Sequence, residues 1–320
     1  MKKCFFLSLF LLFTLSVKVF SQQKKSSTFK IVPLGVKGGS DESNLSSYML
    51  APASSNNYIC LDAGTLHYGI ERAVKAGIFK TTISTVLRDY IKGYLISHAH
   101  LDHIAGLILN SPDDTAKNIY GLPYCLNILK DKYFTWKSWA NFANEGDKPA
   151  LKKYYYTYLS NDKEADIANT QMHVTAFPLS HSDPYQSTAF LVRYDSSYVL
   201  YLGDTGADEV EKTNSLHLLW ETVAPLIQTK KLKGIFIEVS FADQQPASQL
   251  FGHLTPALLM SEMENLSRLT GKDAMKQCKV LITHIKPAGN HEEQIKKQLK
   301  QLNTLRLQLI FPEQAHLIKL

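Results

Sequence analysis

The feature that most constrains this 320-residue chain is a cluster of polar side chains directly after an apolar segment. The stretch LISHAHLDHIAGL, residues 95–107, follows the apolar run GYLI and carries three histidines and an aspartate within six positions. GYLI is typical of a buried strand, and polar rings or carboxylates at its mouth are costly to bury without partners. Because alternate residues leaving a strand face the same way, His98 and His100 should point toward one ligand. Asp102 and His103 follow where the chain turns.

The HxHxDH pattern predicts a metal site, since imidazole and carboxylate groups together suit Zn²⁺, Mn²⁺ or Fe. A lone HxH would fit a solvated loop or a helix cap equally well, but three later residues each end a short apolar strand, as His98 does. They follow HVTAFPLS, YVLYLG and KVLIT. Seven ligands are too many for one ion and suit two, with an aspartate such as Asp204 bridging both. The predicted ligands are His98, His100, Asp102, His103, His181, Asp204 and His284.

The rest of the chain predicts layers of strands and helices. Strand character is found at 29–36, 46–51, 58–63, 93–98, 118–122, 173–180, 188–194, 198–204, 234–239, 279–285 and 307–312. Helical patterns lie at 70–78, 216–232, 255–271 and 291–303. We expect Pro225 to bend or split the second helix, and Thr255 to cap the third with Pro256 in its first turn. Strands with helices between them in both halves predict an α/β sandwich.

Residues 124–168 differ from the remainder because they are rich in both aromatic and charged side chains. We predict an aromatic-rich helical insert here, within a single hydrolase domain that spans 22–320. The aromatic residues could form a lid or a base-stacking wall, but we expect most of them to pack onto the main sheet. A homodimer formed through this segment is left open.

The first 21 residues have the pattern of a secretory signal peptide. A basic start is followed by an apolar stretch to Val17, and VFS at 19–21 places small residues at positions −3 and −1 of a cleavage site. A membrane anchor is the alternative, although the apolar run is shorter than the about 20 residues that span a bilayer. We therefore expect a periplasmic or secreted protein without stable membrane insertion.

Cleavage affects the charge and the cysteine count. The formal net charge falls from +6 to +3, because three lysines and no acids lie in residues 1–21. A charge of +3 is too modest to indicate nucleic-acid binding. Cys60, Cys125 and Cys278 remain, an odd number with spacings typical of no disulfide framework. We expect buried free thiols, and one disulfide among the three is left open.

The motifs together resemble a known family. HxHxDH with a later His, Asp and His is similar to the metallo-β-lactamase superfamily. HAHLDHIAGL at 98–107 resembles the signature of the class II cyclic-nucleotide phosphodiesterases, and further motifs follow in that family's order up to residue 287. These are STAFLV, LGDTGAD, GIFIEVSF, LFGHLTP and ITHIKP. One residue departs from the pattern: Ser182 stands where the family has glycine after Ser180-His181, which alters the turn beside a ligand and leaves the ligand in place.

The resemblance implies a four-layer αββα sandwich of the metallo-β-lactamase type. It also implies hydrolysis of a small 3′,5′-cyclic nucleotide, cAMP or cGMP, to a 5′-nucleotide with two divalent metal ions, of which Zn is favoured over Mn or Fe. The alternatives are another hydrolase of the superfamily, such as a β-lactamase, a lactonase or a nuclease, and a non-catalytic metal-dependent binding protein. No long basic RNA-binding arm is visible in the sequence, which argues against the nuclease.

His253, in the motif GHLTP, is the candidate proton donor. It belongs to none of the strand-end positions and precedes a helix N-terminus, where backbone N–H groups favour phosphate. Glu238, at the end of GIFIE, could orient it. The alternative is a structural histidine at a helix start, with Glu238 as a capping acid. We count Asp102 among the catalytic residues as well as the ligands, and expect Asp62 to orient a ligand histidine.

The signal-peptide interpretation predicts a mature protein that begins near Gln22. A basic, apolar and small-residue sequence of this kind is removed during export. N-terminal sequencing of the protein from its native host tests the prediction. An intact Met1 on soluble cytoplasmic protein would contradict it.

Overall fold

The computed structural model describes Met1 and residues 28–320, so the predicted signal peptide lies, apart from Met1, outside the described residues. Every segment with strand character overlaps an observed strand. The strands are β1 (Phe29–Gly35), β2 (Ser47–Pro52), β3 (Tyr58–Leu61), β4 (Ile91–Leu95), β5 (Lys117–Gly121), β6 (Tyr154–Tyr158), β7 (Glu164–Asp166), β8 (Met172–Ser180), β9 (Gln186–Tyr194), β10 (Ser197–Tyr201), β11 (Leu232–Glu238), β12 (Lys279–Thr283), β13 (Gln308–Ile310) and β14 (Ile318–Lys319).

The α-helices lie in the connections between the parallel strands of each sheet. They are α1 (His67–Lys75), α2 (Ile83–Thr85), α3 (Leu101–Asn110), α4 (Pro123–Ile128), α5 (Asp208–Glu211), α6 (Ser215–Gln228), α7 (Pro256–Thr270), α8 (Lys272–Met275) and α9 (His291–Leu302). A π-helical turn extends α2 over Val86–Tyr90, and another extends α4 over Leu129–Tyr133. Among the described helices, none is both long and apolar enough to cross a bilayer.

The strands form two seven-stranded sheets that share one plan. The first has the order β14-β1-β2-β3-β4-β5-β6 and the second β13-β12-β11-β10-β9-β8-β7. In the first sheet the pairs from β14 to β3 are antiparallel and those from β3 to β6 are parallel. In the second sheet the pairs from β7 to β10 are antiparallel and those from β10 to β13 are parallel. By position in the sheet, β3 therefore corresponds to β10, and β4 to β11.

Alternation along each strand divides the core into layers. Tyr48 of β2 and Phe236 of β11 belong to a cluster between the two sheets. The opposite face of the first sheet packs against α1, α3 and α4, and the opposite face of the second against α6, α7 and α9. Helix, sheet, sheet and helix thus stack in order. The predicted four-layer αββα sandwich is confirmed.

The prediction of a helical insert over residues 124–168 is wrong for most of its length. Helical structure ends at Tyr133, and Tyr154–Tyr158 form β6 at the edge of the first sheet. The run YYYTY favours a strand because aromatic and β-branched side chains fit a pleated surface. Phe134, Tyr154 and Tyr156 are buried, so their packing onto the sheet is as expected, whereas Tyr155 is exposed.

Two further sequence expectations have different outcomes at helix ends. Pro225 does not split α6, which runs through it and ends three residues later at Gln228. Pro225 removes one hydrogen bond, the one that its own N–H would donate to the carbonyl of Glu221, and the rest of the helix continues to Gln228 before β11 begins at Leu232. The cap of α7 is as predicted, because Thr255 accepts a hydrogen bond from the N–H of Leu258. Cys60, Cys125 and Cys278 are free thiols, the first two buried.

Candidate metal centre

All seven predicted ligands come together at one edge of the sandwich, where strands of both sheets end. His98 and His100 follow β4, and the next turn opens α3. Asp102 and His103 lie in that first turn of α3. The other three follow strands of the second sheet: His181 follows β8, Asp204 follows β10 and His284 follows β12. Most of these side chains are buried, although His100 is exposed and Asp102 half-buried.

Three histidine rings meet in the first part of the site. His98 Nε2 lies 3.1 Å from His100 Nδ1, and His181 Nε2 lies 3.3 Å from the same atom. Burial lowers the pKa of His98 well below its usual value. The ring of His100 is only partly shielded from water, but this desolvation and the nearby His181 lower its pKa to about 4, so both rings are neutral near pH 7. Neutral imidazole is the form that binds metal. Three ring nitrogens this close together are suited to share one cation.

The second part of the site joins two histidines to two carboxylates. His284 Nε2 lies 3.1 Å from Asp102 Oδ2 and 3.1 Å from Asp204 Oδ2. His103 Nε2 lies 3.2 Å from the same oxygen of Asp204. Burial would raise the pKa of Asp102, but the charge of His103 and the hydrogen bond with His284 hold it well below its ordinary value. Asp102, His103 and His284 form a second group able to hold a metal ion.

Asp204 lies between the two groups. Its Oδ2 is 3.8 Å from His98 Nε2 and 3.9 Å from His181 Nε2, in addition to its contacts with the second group. Its Oδ1 is buried and has no hydrogen-bond partner among the described residues, and the same is true of His103 Nε2. Buried polar atoms without partners are rare because they cost free energy. These residues therefore fit a resident metal ion, which would satisfy both atoms.

The ring nitrogens that face away from the site have partners of their own. Asp62 Oδ2 lies 2.7 Å from His103 Nδ1, so Asp62 orients a ligand histidine as the sequence led us to expect. His181 Nδ1 donates to the carbonyl oxygen of Gly252 at 2.8 Å. Such outer contacts fix the tautomer and the orientation of a metal-binding ring. The site is therefore held in place before any ion binds.

The candidate proton donor lies beside the second group. Glu238 Oε1 is 2.7 Å from His253 Nδ1, which leaves Nε2 as the ring nitrogen available to a substrate. Burial lowers the pKa of His253 to about 4. Burial and the charge of Asp204 raise the pKa of Glu238 to about 7. A neutral ring beside a carboxyl group of raised pKa suits a pair that exchanges protons.

Two loop positions require unusual backbone conformations. Gly252 has φ of +75°, and a Cβ there would lie 2.3 Å from the backbone nitrogen of Ser182. Ser182 itself has φ of +64°, which explains why glycine would be favoured at this position. Its N–H donates at 2.8 Å to Glu211, whose carboxylate also accepts from Ser180 Oγ at 2.7 Å. The turn beside His181 is thus stabilised despite the serine.

Sequence reasoning missed several residues that hold the ligands. Ser97 and Ser240 each contact a ligand histidine, and Tyr201 donates to Asp62 at 2.6 Å. Tyr185 stacks on His100 with ring centroids 4.3 Å apart. Ser97 directly precedes His98 and Ser240 lies two residues after Glu238, so their proximity in sequence was the available signal.

The fold and the clustered ligands define a protein of the metallo-β-lactamase fold. Unliganded yeast PDE1 matches with a TM-score of 0.81 and 24% identity, covering 92% of this chain and 100% of that chain. The metallo-β-lactamase fold protein YhfI from Bacillus subtilis matches with a TM-score of 0.61 and 16% identity, covering 91% and 99%. At these identities the likeness concerns the fold.

Sequence comparison identifies the family within that fold. The model of the class II cAMP phosphodiesterases matches residues 78–308. The chain is 43% identical to a 3′,5′-cyclic-nucleotide phosphodiesterase of Aliivibrio fischeri, covering 93% of this chain and 95% of that protein. It is 35% identical to a probable 3′,5′-cyclic-nucleotide phosphodiesterase of Yersinia pestis, covering 94% and 92%. The chain belongs to the class II cAMP phosphodiesterase family, as its motifs predicted.

Proposed function

We propose that this protein hydrolyses 3′,5′-cyclic nucleotides to 5′-nucleotides at the site around Asp204. The observation that carries the proposal is the convergence of metal-binding side chains on that carboxylate, with the Glu238–His253 pair beside them. Relatives of the same family that cover nearly the whole chain are named for this activity. The substrate is a small molecule, and neither nucleic acid nor a membrane is a proposed partner.

We propose two divalent ions per chain, one in each group of ligands. His98, His100 and His181 would hold the first, Asp102, His103 and His284 the second, and Asp204 would contact both. Ligation by imidazole and carboxylate accommodates Zn, Mn and Fe, and metal supply also decides occupancy; we propose Zn. When bound, such ions supply a water molecule activated at neutral pH and positive charge near the phosphoryl group.

The chain itself provides the proton for the leaving group. As the bond from phosphorus to the 3′-oxygen breaks, negative charge builds on that oxygen, and a donor within reach lowers the barrier. His253 Nε2 carries a proton to donate when Glu238 is protonated and donates to Nδ1, 2.7 Å away, so that transfer to the 3′-oxygen leaves Nδ1 protonated and Glu238 ionised. Ser240 Oγ and the N–H groups of Thr205 and Leu254 contact the Glu238 carboxylate and hold it in this orientation.

The proposal that the protein is exported rests on the N-terminal sequence alone. We propose that the protein acts in the periplasm or outside the cell, where it would meet cyclic nucleotides that have left the cytoplasm. The support is the basic, apolar and small-residue pattern of residues 1–21. The choice between adenine and guanine bases is part of the experiment below.

A hydrolysis screen with metal analysis of the same sample tests the proposal. We expect purified protein to release 5′-nucleotide from cAMP, cGMP or both, and elemental analysis to find close to two divalent ions per chain. Bis-p-nitrophenyl phosphate serves as a general phosphodiester control. Turnover of that ester without any turnover of cyclic nucleotides would indicate a different hydrolase of the fold. Metal binding without either activity would indicate a binding protein.

His253→Ala should lower kcat about 10²- to 10⁴-fold, the range typical of general acid catalysis, while both ions remain bound. A group that acts mainly in the transition state affects kcat more than KM. Glu238→Gln should have a smaller effect, because it misorients the donor without removing it. Steady-state kinetics with cyclic nucleotide, together with metal content, provide the measurement.

Two roles are open to His253, donating a proton to the leaving group and contacting the phosphate. Substrates with different leaving groups distinguish them. A p-nitrophenolate leaving group needs no proton, so a donor role predicts that His253→Ala hydrolyses an activated aryl ester at a near-normal rate. A role in contacting the phosphate predicts loss with both substrates. Wild-type rates of His253→Ala on cyclic nucleotide would rule out both roles and leave this histidine as part of a helix start.

A further inference from the structure

We infer that Ser97 and Ser240 are a matched pair of positioning residues, each of which fixes the metal-binding tautomer of one ligand histidine. The inference rests on the proposed metal sites and concerns two hydroxyl groups that the proposed reaction does not use directly. Ser97 acts on His98 in the first group of ligands. Ser240 acts on His284 in the second group.

Ser240 lies at the centre of a buried network. Its Oγ lies 2.8 Å from Glu238 Oε2, its nearest acceptor, and 2.9 Å from His284 Nδ1. His253 Nδ1 and the backbone oxygen of His284 are farther away, each at 3.2 Å. The side chains of Glu238 and His284 are almost fully buried, and Ser240 itself is 0% exposed. Water therefore does not compete for these contacts. The geometry of the three side chains sets where the protons lie.

The proton on Ser240 decides the state of His284. A hydroxyl has one hydrogen, and here it is donated to the carboxylate of Glu238. Ser240 Oγ is then free to accept a hydrogen from His284 Nδ1, the nearer of the two ring nitrogens beside it, which leaves His284 Nε2 with a free lone pair. Nε2 is the atom that lies 3.1 Å from both Asp102 and Asp204, on the side where the ion would bind. The tautomer set by Ser240 is the one that coordinates metal.

Ser97 makes the two corresponding contacts, to a carboxylate and to a ligand histidine, in the other half of the molecule. Its Oγ donates to Asp62 Oδ2 at 2.7 Å and lies 3.0 Å from His98 Nδ1. Its single hydrogen is thus given to a carboxylate, so His98 Nδ1 must donate to Ser97. His98 Nε2 is left to face His100 Nδ1 at 3.1 Å. The order carboxylate, serine, ligand histidine is repeated.

The two serines also occupy corresponding places in the fold. Ser97 lies two residues beyond the end of β4, and Ser240 lies two residues beyond the end of β11. These strands have the same position in the two sheets, next to the strand at which antiparallel pairing changes to parallel. The carboxylates differ, because Asp62 follows β3 whereas Glu238 ends β11. The serine is therefore the common element of the two networks.

One difference between the networks distinguishes the serines in function. The carboxylate bound by Ser240 also contacts His253, at 2.7 Å, whereas the carboxylate bound by Ser97 contacts the ligand His103. Loss of Ser240 should therefore disturb the proton donor as well as a ligand. Loss of Ser97 should disturb ligands alone.

Metal affinity provides the test. We expect Ser97→Ala and Ser240→Ala each to weaken Zn²⁺ binding about 10- to 100-fold at one ion, as outer contacts of metal-binding histidines typically do. Competition between the protein and a chelator for Zn²⁺ measures this change. Ser267→Ala is the matched control, because Ser267 is also buried and its hydroxyl has no hydrogen-bond partner among the described residues. It should bind Zn²⁺ as the wild type does.

Two further measurements complete the experiment. At saturating Zn²⁺, Ser97→Ala should regain most of the wild-type kcat, whereas Ser240→Ala should stay about 10-fold or more below it. Ser240→Thr, which keeps the hydroxyl, should restore Zn²⁺ affinity. NMR of the ring nitrogens should find Nδ1 of His98 and His284 protonated in the Zn²⁺-loaded wild type.

The outcomes separate this inference from the proposed function. Weakened Zn²⁺ binding in both serine variants supports the inference even if no cyclic nucleotide is hydrolysed, since the binding measurement needs no substrate. Zn²⁺ affinities equal to that of Ser267→Ala would overturn it. Unprotonated Nδ1 on either histidine would overturn it as well. Thermal unfolding in the presence of chelator shows whether Ser97→Ala or Ser240→Ala is itself destabilised. For a destabilised variant, the corresponding Ser→Thr variant is measured instead, and it must retain the Zn²⁺ affinity of the wild type.

Discussion

The site depends on one buried carboxylate, Asp204, on which histidine rings from both sheets converge. Its Oδ2 lies 3.1 to 3.9 Å from ring nitrogens of His98, His103, His181, His253 and His284. Burial would raise the pKa of Asp204, but the histidines His103 and His284 beside it hold it well below its ordinary value. A charged group this deep is stable only if it is paired or binds metal. That requirement ties the chemistry of the site to the packing of the two sheets.

The two sheets contribute to the site in the same manner. Each changes from antiparallel to parallel pairing at a central strand, and the residues that follow β3 and β10 at this change are Asp62 and Asp204. Asp62 orients His103, and Asp204 contacts the metal-facing side of the same ring at 3.2 Å. Neither sheet could form the site alone, because His98, His100 and His103 belong to the first and His181 and His284 to the second. Folding of the sandwich therefore assembles the site.

The ligand positions could be predicted from sequence because they lie where short apolar strands end in polar residues, or in the helical turn that follows the first of them. This local signal can be read without knowledge of the fold. The hydroxyl contacts could not, since Ser240 is 44 positions from His284 in the chain and nothing in the pattern indicates which atoms it joins. The prediction of a helical insert over residues 124–168 failed for another reason. The run Tyr154–Tyr158 is short, and its place at a sheet edge is set by pairing with β5, which the local sequence does not indicate.

The metal content of Asp204→Ala tests the central claim most directly. If Asp204 contacts both ions, its loss should lower the occupancy of both, whereas His181→Ala should weaken mainly the ion bound by His98 and His100. Asp273→Ala is the matched control, because Asp273 is an exposed carboxylate paired with Lys276 on another part of the surface. Elemental analysis of the three variants after the same dialysis gives the result. We predict a clear loss of both ions from Asp204→Ala, and two full ions in that variant would contradict the account.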